Sequence, residues 1–590
     1  MKKNVLSLSI AAMIGGLGFA GAASAGVAYQ TAAVASAAGA AAGLTATTAT
    51  VLQVSPDGIG HNLVVPYYSV QEGNGTLLSL VNTDTKNGKA VKVRFRGAAN
   101  SDDVFDFSLF LSPGDVWTAN VSKDTATGLA QIYVPDNTCS LPRRAVLNAT
   151  KFKTDRVFGA TDAAKAGETL EGYVEIFNMA DIPPKVPGAT GVADEAAVAL
   201  IDNALFTAIK HTSAGTNPCG LAASDSALPA AVLKLAADPT LTDITGAVAA
   251  AADRTALLNH GLWAPSTGLT GSWTILNIAG ASVAWSGNMT AVEARVAAGG
   301  APGLGRVVFS PQKDTTVAAT AINSLTSDPL LRNTGVAPST AIIEAAQYDL
   351  PDMSTPYLTA VAITAAGVAA AAPGTTASDA PVLQAKLLTQ ALAVKNVLNE
   401  YVTNSAISAA TDWVFSMPTR RYAVGVNYKF AAPATGPSAV FNASAAQQIT
   451  VGNDVSPYFT AVNTKMGTGG TSGNPTYQAC VEPGGAVTAY DQEEATASGE
   501  FVVSPGTTKK VVFCGEVSIL TFNATSSLQA KIAPKNIDAG FVNGWLNINT
   551  AGLANAGLPI VGSSFVKMTG PVVAGKSTNF SLTQPHRFTR

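Results

Sequence analysis

KAVKVRFRG at 89–97 and DVFDFSLFL at 103–111 decide the fold class. In the first stretch Val91, Val93 and Phe95 alternate with Lys92, Arg94 and Arg96. A period of two places neighbours on opposite faces, so the spacing predicts a strand with one buried and one solvated face. In the second, Phe105, Phe107, Leu109 and Leu111 share a face. Turn signals bracket both: EGNG at 72–75, KNG at 86–88 and SPGD at 112–115. Short strands joined by such turns argue for a β-sandwich rather than a βα unit.

Outward from these strands the pattern changes twice. GYVEIFN (172–178) reads as a further strand, but Val192, Ala196, Leu200, Ala204 and Ile209 recur at near-helical spacing, and 241–260 is similar. Residues 269–294 return to β, with Trp273, Ile275 and Trp285. A second helical block covers 380–403, where Leu383, Leu387, Leu388, Leu392, Val394 and Val397 suit one stripe. Residues 411–430, 499–522 and 540–568 are again strand-rich. The expected architecture is mainly β, with two sandwich-like regions at 51–310 and 311–590. Ala-rich helical insertions fall at about 192–260 and 360–403. Terminal strands sharing one sheet would make the two regions one composite domain.

The N-terminus predicts export. Lys2 and Lys3 precede an apolar run from Leu6 to Phe19, and Ala23-Ser24-Ala25 has the form of a cleavage site. Residues 1–25 therefore read as a signal peptide and 26–50, rich in Ala, Thr, Gly and Ser, as a flexible leader. The expected location is the cell surface or the extracellular space. The chain has 590 residues and a net charge of −3, and only 13% are charged, about half the usual quarter. Nucleic-acid binding is disfavoured because no basic excess is present to neutralise phosphate. Four cysteines in an exported chain point to disulfides. Three connectivities are open, and sequence proximity favours Cys139–Cys219 and Cys480–Cys514.

The motifs carry little chemistry. Gly570 to Ser577 matches GxxxxGK[ST], but thirteen residues containing Pro585 follow it, too few and too extended for the helix that a phosphate loop requires. Nucleotide binding is not expected. No GxSxG, HExxH or paired SxxK and KTG occurs, and four histidines lack motif context, so no catalytic residue is assigned. Acidic clusters at Asp102-Asp103, at Asp349 and Asp352, and at Asp491, Glu493 and Glu494 offer oxygen ligands for calcium. Turn capping is the competing reading of each. No other cofactor is expected. Trp117, Trp263, Trp273, Trp285, Trp413 and Trp545 sit mostly in strand-like contexts and read as core.

Several segments together resemble a family: VVPYYSVQEGNGTLLSLVNTD (64–84), FSLFLSPGDVWTANV (107–121), EGYVEIFNM (171–179), TDWVFSMPTRRY (411–422), FCGEVSILTFN (513–523), GLPIVGSSFVKM (557–568) and PHRF (585–588). The chain is similar to large exported cell-surface, surface-layer-like proteins of Gram-negative proteobacteria. That resemblance implies a structural coat protein whose main partner is itself, with outer-membrane surface components as a second, and it supplies no active site. Low charge agrees, because faces that pack in a lattice must not repel each other. The alternative expectation is a displayed adhesin recognising glycan or another surface ligand. A porin-like barrel would need alternating strands throughout, against the helical blocks, and a hydrolase would need carboxylates converging in a cleft.

Overall fold

The computed structural model describes residues 28–29, 47–154, 157, 159, 161–187, 200–211, 219, 228–237, 261–277, 282–309, 312, 351–355, 357–359, 380–427, 438–441, 458–460, 462–468, 477–498, 502–503, 507–508, 511–532, 535–537, 540–553, 556–575 and 578–590. Of these, 47% are in strands and 12% in helices, so the protein is mainly β.

The first region supplies β1 (Val51–Val54), β2 (Asn62–Ser69), β3 (Gly75–Asn82), β4 (Gly88–Gly97), β5 (Asp103–Leu111), β6 (Val116–Lys123), β7 (Ala130–Tyr133), β8 (Cys139–Leu141), β9 (Glu171–Ile182), β10 (Leu269–Asn277), β11 (Val283–Asn288) and β12 (Thr290–Arg295). They form a seven-stranded sheet, in the order β1-β12-β2-β9-β4-β5-β8, and a five-stranded sheet, β11-β10-β3-β6-β7. All the pairings are antiparallel. The inward residues of both sheets, among them Val91, Val93, Phe95, Trp117 and Trp273, fill one hydrophobic cluster.

The second region supplies β13 (Asn396–Val402), β14 (Ala409–Ser416), β15 (Thr464–Thr468), β16 (Tyr477–Val481), β17 (Val487–Tyr490), β18 (Thr496–Ser498), β19 (Phe513–Cys514), β20 (Val517–Thr521), β21 (Lys535–Asn536), β22 (Asn543–Asn549), β23 (Val561–Met568), β24 (Phe580–Pro585) and β25 (Arg587–Thr589). One sheet runs β18-β17-β22-β13-β25, its partner β21-β20-β14-β23-β24, and a small one β15-β16-β19. Trp413, Phe415, Tyr401, Leu546 and Ile548 pack between the two larger sheets.

The β14-containing sheet has two buried faces. Trp413 and Phe415 point into its own sandwich, while Val414, Ile519 and Phe565 join the cluster of the first region. Phe565 meets Tyr67, Trp273 and Trp285 at ring-centroid distances of 6.3, 5.6 and 6.4 Å. Trp285 Nε1 donates to Val566 O at 3.0 Å. The described hydrophobic core is thus continuous between the two regions.

Of the first insertion, the described residues show two short helices, α1 (Ala204–Ile209) and α2 (Ala230–Ala237), but Leu200, expected on the helical stripe, lies in an extended segment Leu200–Asp202 paired antiparallel with Lys185–Pro187; 241–260 lie outside the described residues. The second helical block is corrected. α3 covers Ala380–Leu392 and stops there, and Val397 lies in β13, paired with Ile548. In β13, Val397, Asn399 and Tyr401 are buried and alternate with outward residues, which is period two. Pairing with β22 overrode a stripe of Leu and Val that fits either period over so short a span. Among the described residues before Val51, Ala28–Tyr29 pair with Val308–Phe309, and Ala49 is buried. Both favoured disulfides are present, Cys139–Cys219 and Cys480–Cys514. A Cβ on Gly467 would collide with Cys480 Sγ, so the second bridge requires glycine there. Among the described residues no helix is long and apolar enough to cross a membrane.

Candidate functional site

Lys92, Arg94 and Arg96 do not face solvent. Every residue of β4 is buried, on both faces. Charge can leave water at this scale only if it is paired, and the neighbouring strands supply the pairs. Register sets Arg94 opposite Asp106 of β5 and Glu175 of β9. Arg94 pairs with Asp103 and, at 3.4 Å, with Asp106. Lys92 pairs with Asp106 and donates to Gln312 Oε1 at 2.8 Å.

The layer is completed from outside the sandwich. Arg96 reaches Glu175 and Asp352, both at 3.4 Å. Asp352 also pairs with Arg421, accepts from Tyr422 OH at 3.0 Å, and accepts from Ser354 N and Oγ at 2.8 and 2.6 Å. Arg420 pairs with Glu516 at 2.5 Å, and Glu516 Oε1 accepts the Arg421 amide at 2.9 Å. The Arg421 guanidinium lies 4.3 Å from the Tyr422 ring centroid. Residues 420–422 and 516 of the second region are thereby locked onto the first, and the Glu516 and Val517 amides donate to Ala98 O.

Burial raises the Glu175 carboxyl against the pull of Arg96 and Arg421. Burial also acts to raise Asp106, but Lys92 and Arg94 hold it below the usual carboxylate range. Lys92 is lowered by burial, against Asp106. The arrangement immobilises charge rather than presenting it to a substrate: each carboxylate named here already holds a cation.

One region of surface has different character. On β22 the outward residues are Asn543, Trp545 and Asn547, and Trp545 is the one tryptophan that is not buried. The other five are core, as expected. Register pairs Trp545 with Tyr490 on one side and Glu400 on the other. The Tyr490 and Trp545 rings stack at 4.1 Å and 7°.

The calcium candidates are not brought together. Asp352 lies in the buried ion layer, whereas Asp491, Glu493 and Glu494 form the exposed turn after β17. There Asp491 Oδ1 accepts the amides of Glu493 and Ala495 at 2.9 and 2.8 Å, which is turn capping. Asp349 lies outside the described residues. Among the described residues no group of three potential ligands converges. Residues 570–575 of the phosphate-loop match lie between β23 and β24, which pair as a hairpin. The two buried histidines among the described residues are neutral by their bonds. His61 Nδ1 accepts from Ala294 N at 3.0 Å while Nε2 donates to Gly303 O at 2.9 Å. His586 Nδ1 accepts from Asn399 Nδ2 and Nε2 donates to Val414 O, each at 2.9 Å.

The buried ion layer was missed because alternation alone cannot tell solvent from a covering segment. The available signal was complementary charge: three cations on β4 beside Asp103, Asp106 and Glu175 on strands expected to pair with it. No protein-family model, curated protein or solved structure matches this chain.

Proposed function

We propose that this protein is an exported structural component of the cell surface that assembles with copies of itself into a coat. The observation that carries this reading is the outer face of the β11-β10-β3-β6-β7 sheet. It presents Leu77, Ser79, Val81, Val116, Thr118 and Asn120, continuing into Thr270, Ser272, Thr274, Ala284 and Ser286, and none of these is charged. Leu77, Val116 and Tyr133 on this sheet are exposed. At its edge Ala284 N donates to Ser581 Oγ at 3.2 Å, so the neighbouring β24 extends the surface with exposed Phe580 and Leu582. A broad uncharged face on a scaffold locked by disulfides and buried ion pairs can meet its own copy without repulsion. Calcium bound at the Asp491–Glu494 turn would act between copies, since that turn is exposed. The test is sedimentation of residues 26–590 with Ser79→Lys and Thr274→Lys beside the unaltered chain. Loss of large species on adding these two charges supports the reading, and unchanged assembly places the contact elsewhere.

The Tyr490–Trp545 stack favours a second reading, a displayed glycan-binding protein, because half-exposed rings flanked by amides suit the faces and hydroxyls of sugars. Trp545 fluorescence quenched by acrylamide, and protected by a soluble neutral polysaccharide, would support it. Unprotected quenching across a panel of such polysaccharides would count against it.

A further inference from the structure

Lys89 lies at the start of β4 and Asp181 near the end of β9, and the two residues are directly paired across the strands. Both are fully buried, with Lys89 Nζ 2.9 Å from Asp181 Oδ1. This pair stands apart from the Arg96–Asp352–Arg421 layer and holds none of those two regions together, so its chemistry invites a separate account.

The surroundings contain each group that amide formation needs. Asn178 Nδ2 donates to Asp181 Oδ1 at 3.2 Å, and Ser266 Oγ donates to Asp181 Oδ2. Both carboxyl oxygens therefore have a donor placed where charge would develop in a tetrahedral intermediate. Asp84 Oδ2 is 3.8 Å from Lys89 Nζ, an acceptor for an ammonium proton. Burial acts to raise the Asp84 carboxyl, but hydrogen bonds from Asn87 and Lys86 keep it below the usual range, so it stands ionised beside the ammonium. Burial raises the Asp181 carboxyl, against Lys89 and its hydrogen bonds, so that its departing oxygen takes up protons more readily. Asn178 Oδ1 is buried without a partner among the described residues, an acceptor beside the site for a new amide N–H. Nucleophile and electrophile are held in contact in a place that excludes water, which favours condensation over hydrolysis.

We propose that Lys89 and Asp181 join in an intramolecular isopeptide bond. Lys89 passes one proton to Asp84, Nζ attacks Cγ of Asp181, and Asp84 then returns that proton to the departing carboxyl oxygen. The new C–N bond forms as one carboxyl C–O bond breaks. The oxygen leaves as water, taking two of the three ammonium protons, and the third stays on the amide nitrogen. One positive and one negative charge are consumed together, and no oxidant or co-reactant enters. The product staples the central strands of the seven-stranded sheet across 92 residues of sequence.

Intact mass of the purified, reduced and denatured chain decides this without depending on the stability of any variant. The expected mass is about 18 Da, one water, below that of the sequence, and a protease digest contains one branched peptide holding Lys89 and Asp181. Lys89→Ala and Asp181→Ala restore the full mass. Asp181→Asn keeps the bond and loses about 17 Da, one ammonia, because the same amide forms from a carboxamide. Asp84→Asn leaves the folded chain only partly linked. A wild-type chain with the full sequence mass and two separate peptides overturns the proposal and leaves Lys89–Asp181 as an ion pair.

Discussion

In the first sandwich, β4 carries Lys92, Arg94 and Arg96 on a face that is wholly buried. In the second, β22 carries Asn543, Trp545 and Asn547 on a face that stays half-exposed. Both strands alternate, and both point large apolar residues into a sandwich core. They differ in what lies outside. β4 is covered by residues 351–355, Gln312 and the 420–422 turn, which bring Asp352 and two further arginines with Glu516. β22 has Tyr490 and Glu400 beside it on the same face. A charged strand face was buried where a second region delivered counter-charges, and an uncharged one was left at the surface.

The sharpest way to break this comparison is to remove one charge from the buried layer. Asp352→Ala takes a buried counter-charge from Arg96 and Arg421 and should destabilise the chain by about 3–5 kcal/mol in denaturant unfolding. Glu400→Ala on the exposed face, by contrast, should stay within about 0.5 kcal/mol of wild type. Equal effects would mean that the layer is not shielded from water. Phe565→Ala tests whether the two regions share one core. It should cost about 3–5 kcal/mol, and tryptophan fluorescence and far-UV circular dichroism should still report a single coincident transition. Two separated transitions in the wild type would show independent regions.

Each region also holds one neutral buried histidine, and burial lowers His61 and His586 from 6.5 to about 3. The folded state keeps the ring neutral, while the unfolded chain takes a proton as pH falls below 6.5. Stability from these rings is therefore present above 6.5 and lost on acidification toward 3. Glu171, Glu175 and Asp412 are raised by burial and act in the opposite sense, so wild type alone does not isolate the histidines. The difference in unfolding free energy between wild type and His586→Gln should shrink by about 2 kcal/mol from about pH 7 to about pH 5. A pH-independent difference would place a charged ring in the fold. A smaller effect than at the buried sites is expected at the surface stack, where Tyr490→Ala should cost about 0.5–1.5 kcal/mol and increase acrylamide quenching of Trp545.

These contrasts mark where the sequence was legible. Strand positions around 62–123, 171–182, 269–295 and 543–568 follow from local alternation and turn residues, which act within a few positions of themselves. The disulfide partners follow from proximity along the chain. The end of α3 at Leu392 did not, because Val394 and Val397 are set by strands more than 150 residues later. The ion layer did not, because Asp352, Arg420, Arg421 and Glu516 reach β4 from far along the chain. Trp545 looked like its five buried counterparts because composition does not record which face of a strand a neighbouring segment covers.

Negative-stain electron microscopy of purified residues 26–590, with calcium and with a chelator, tests the proposed role most directly. A self-assembling coat protein gives ordered sheets or tubes, and loss of order in chelator would assign calcium to the contacts. Dispersed single particles in both conditions would contradict assembly by this chain alone.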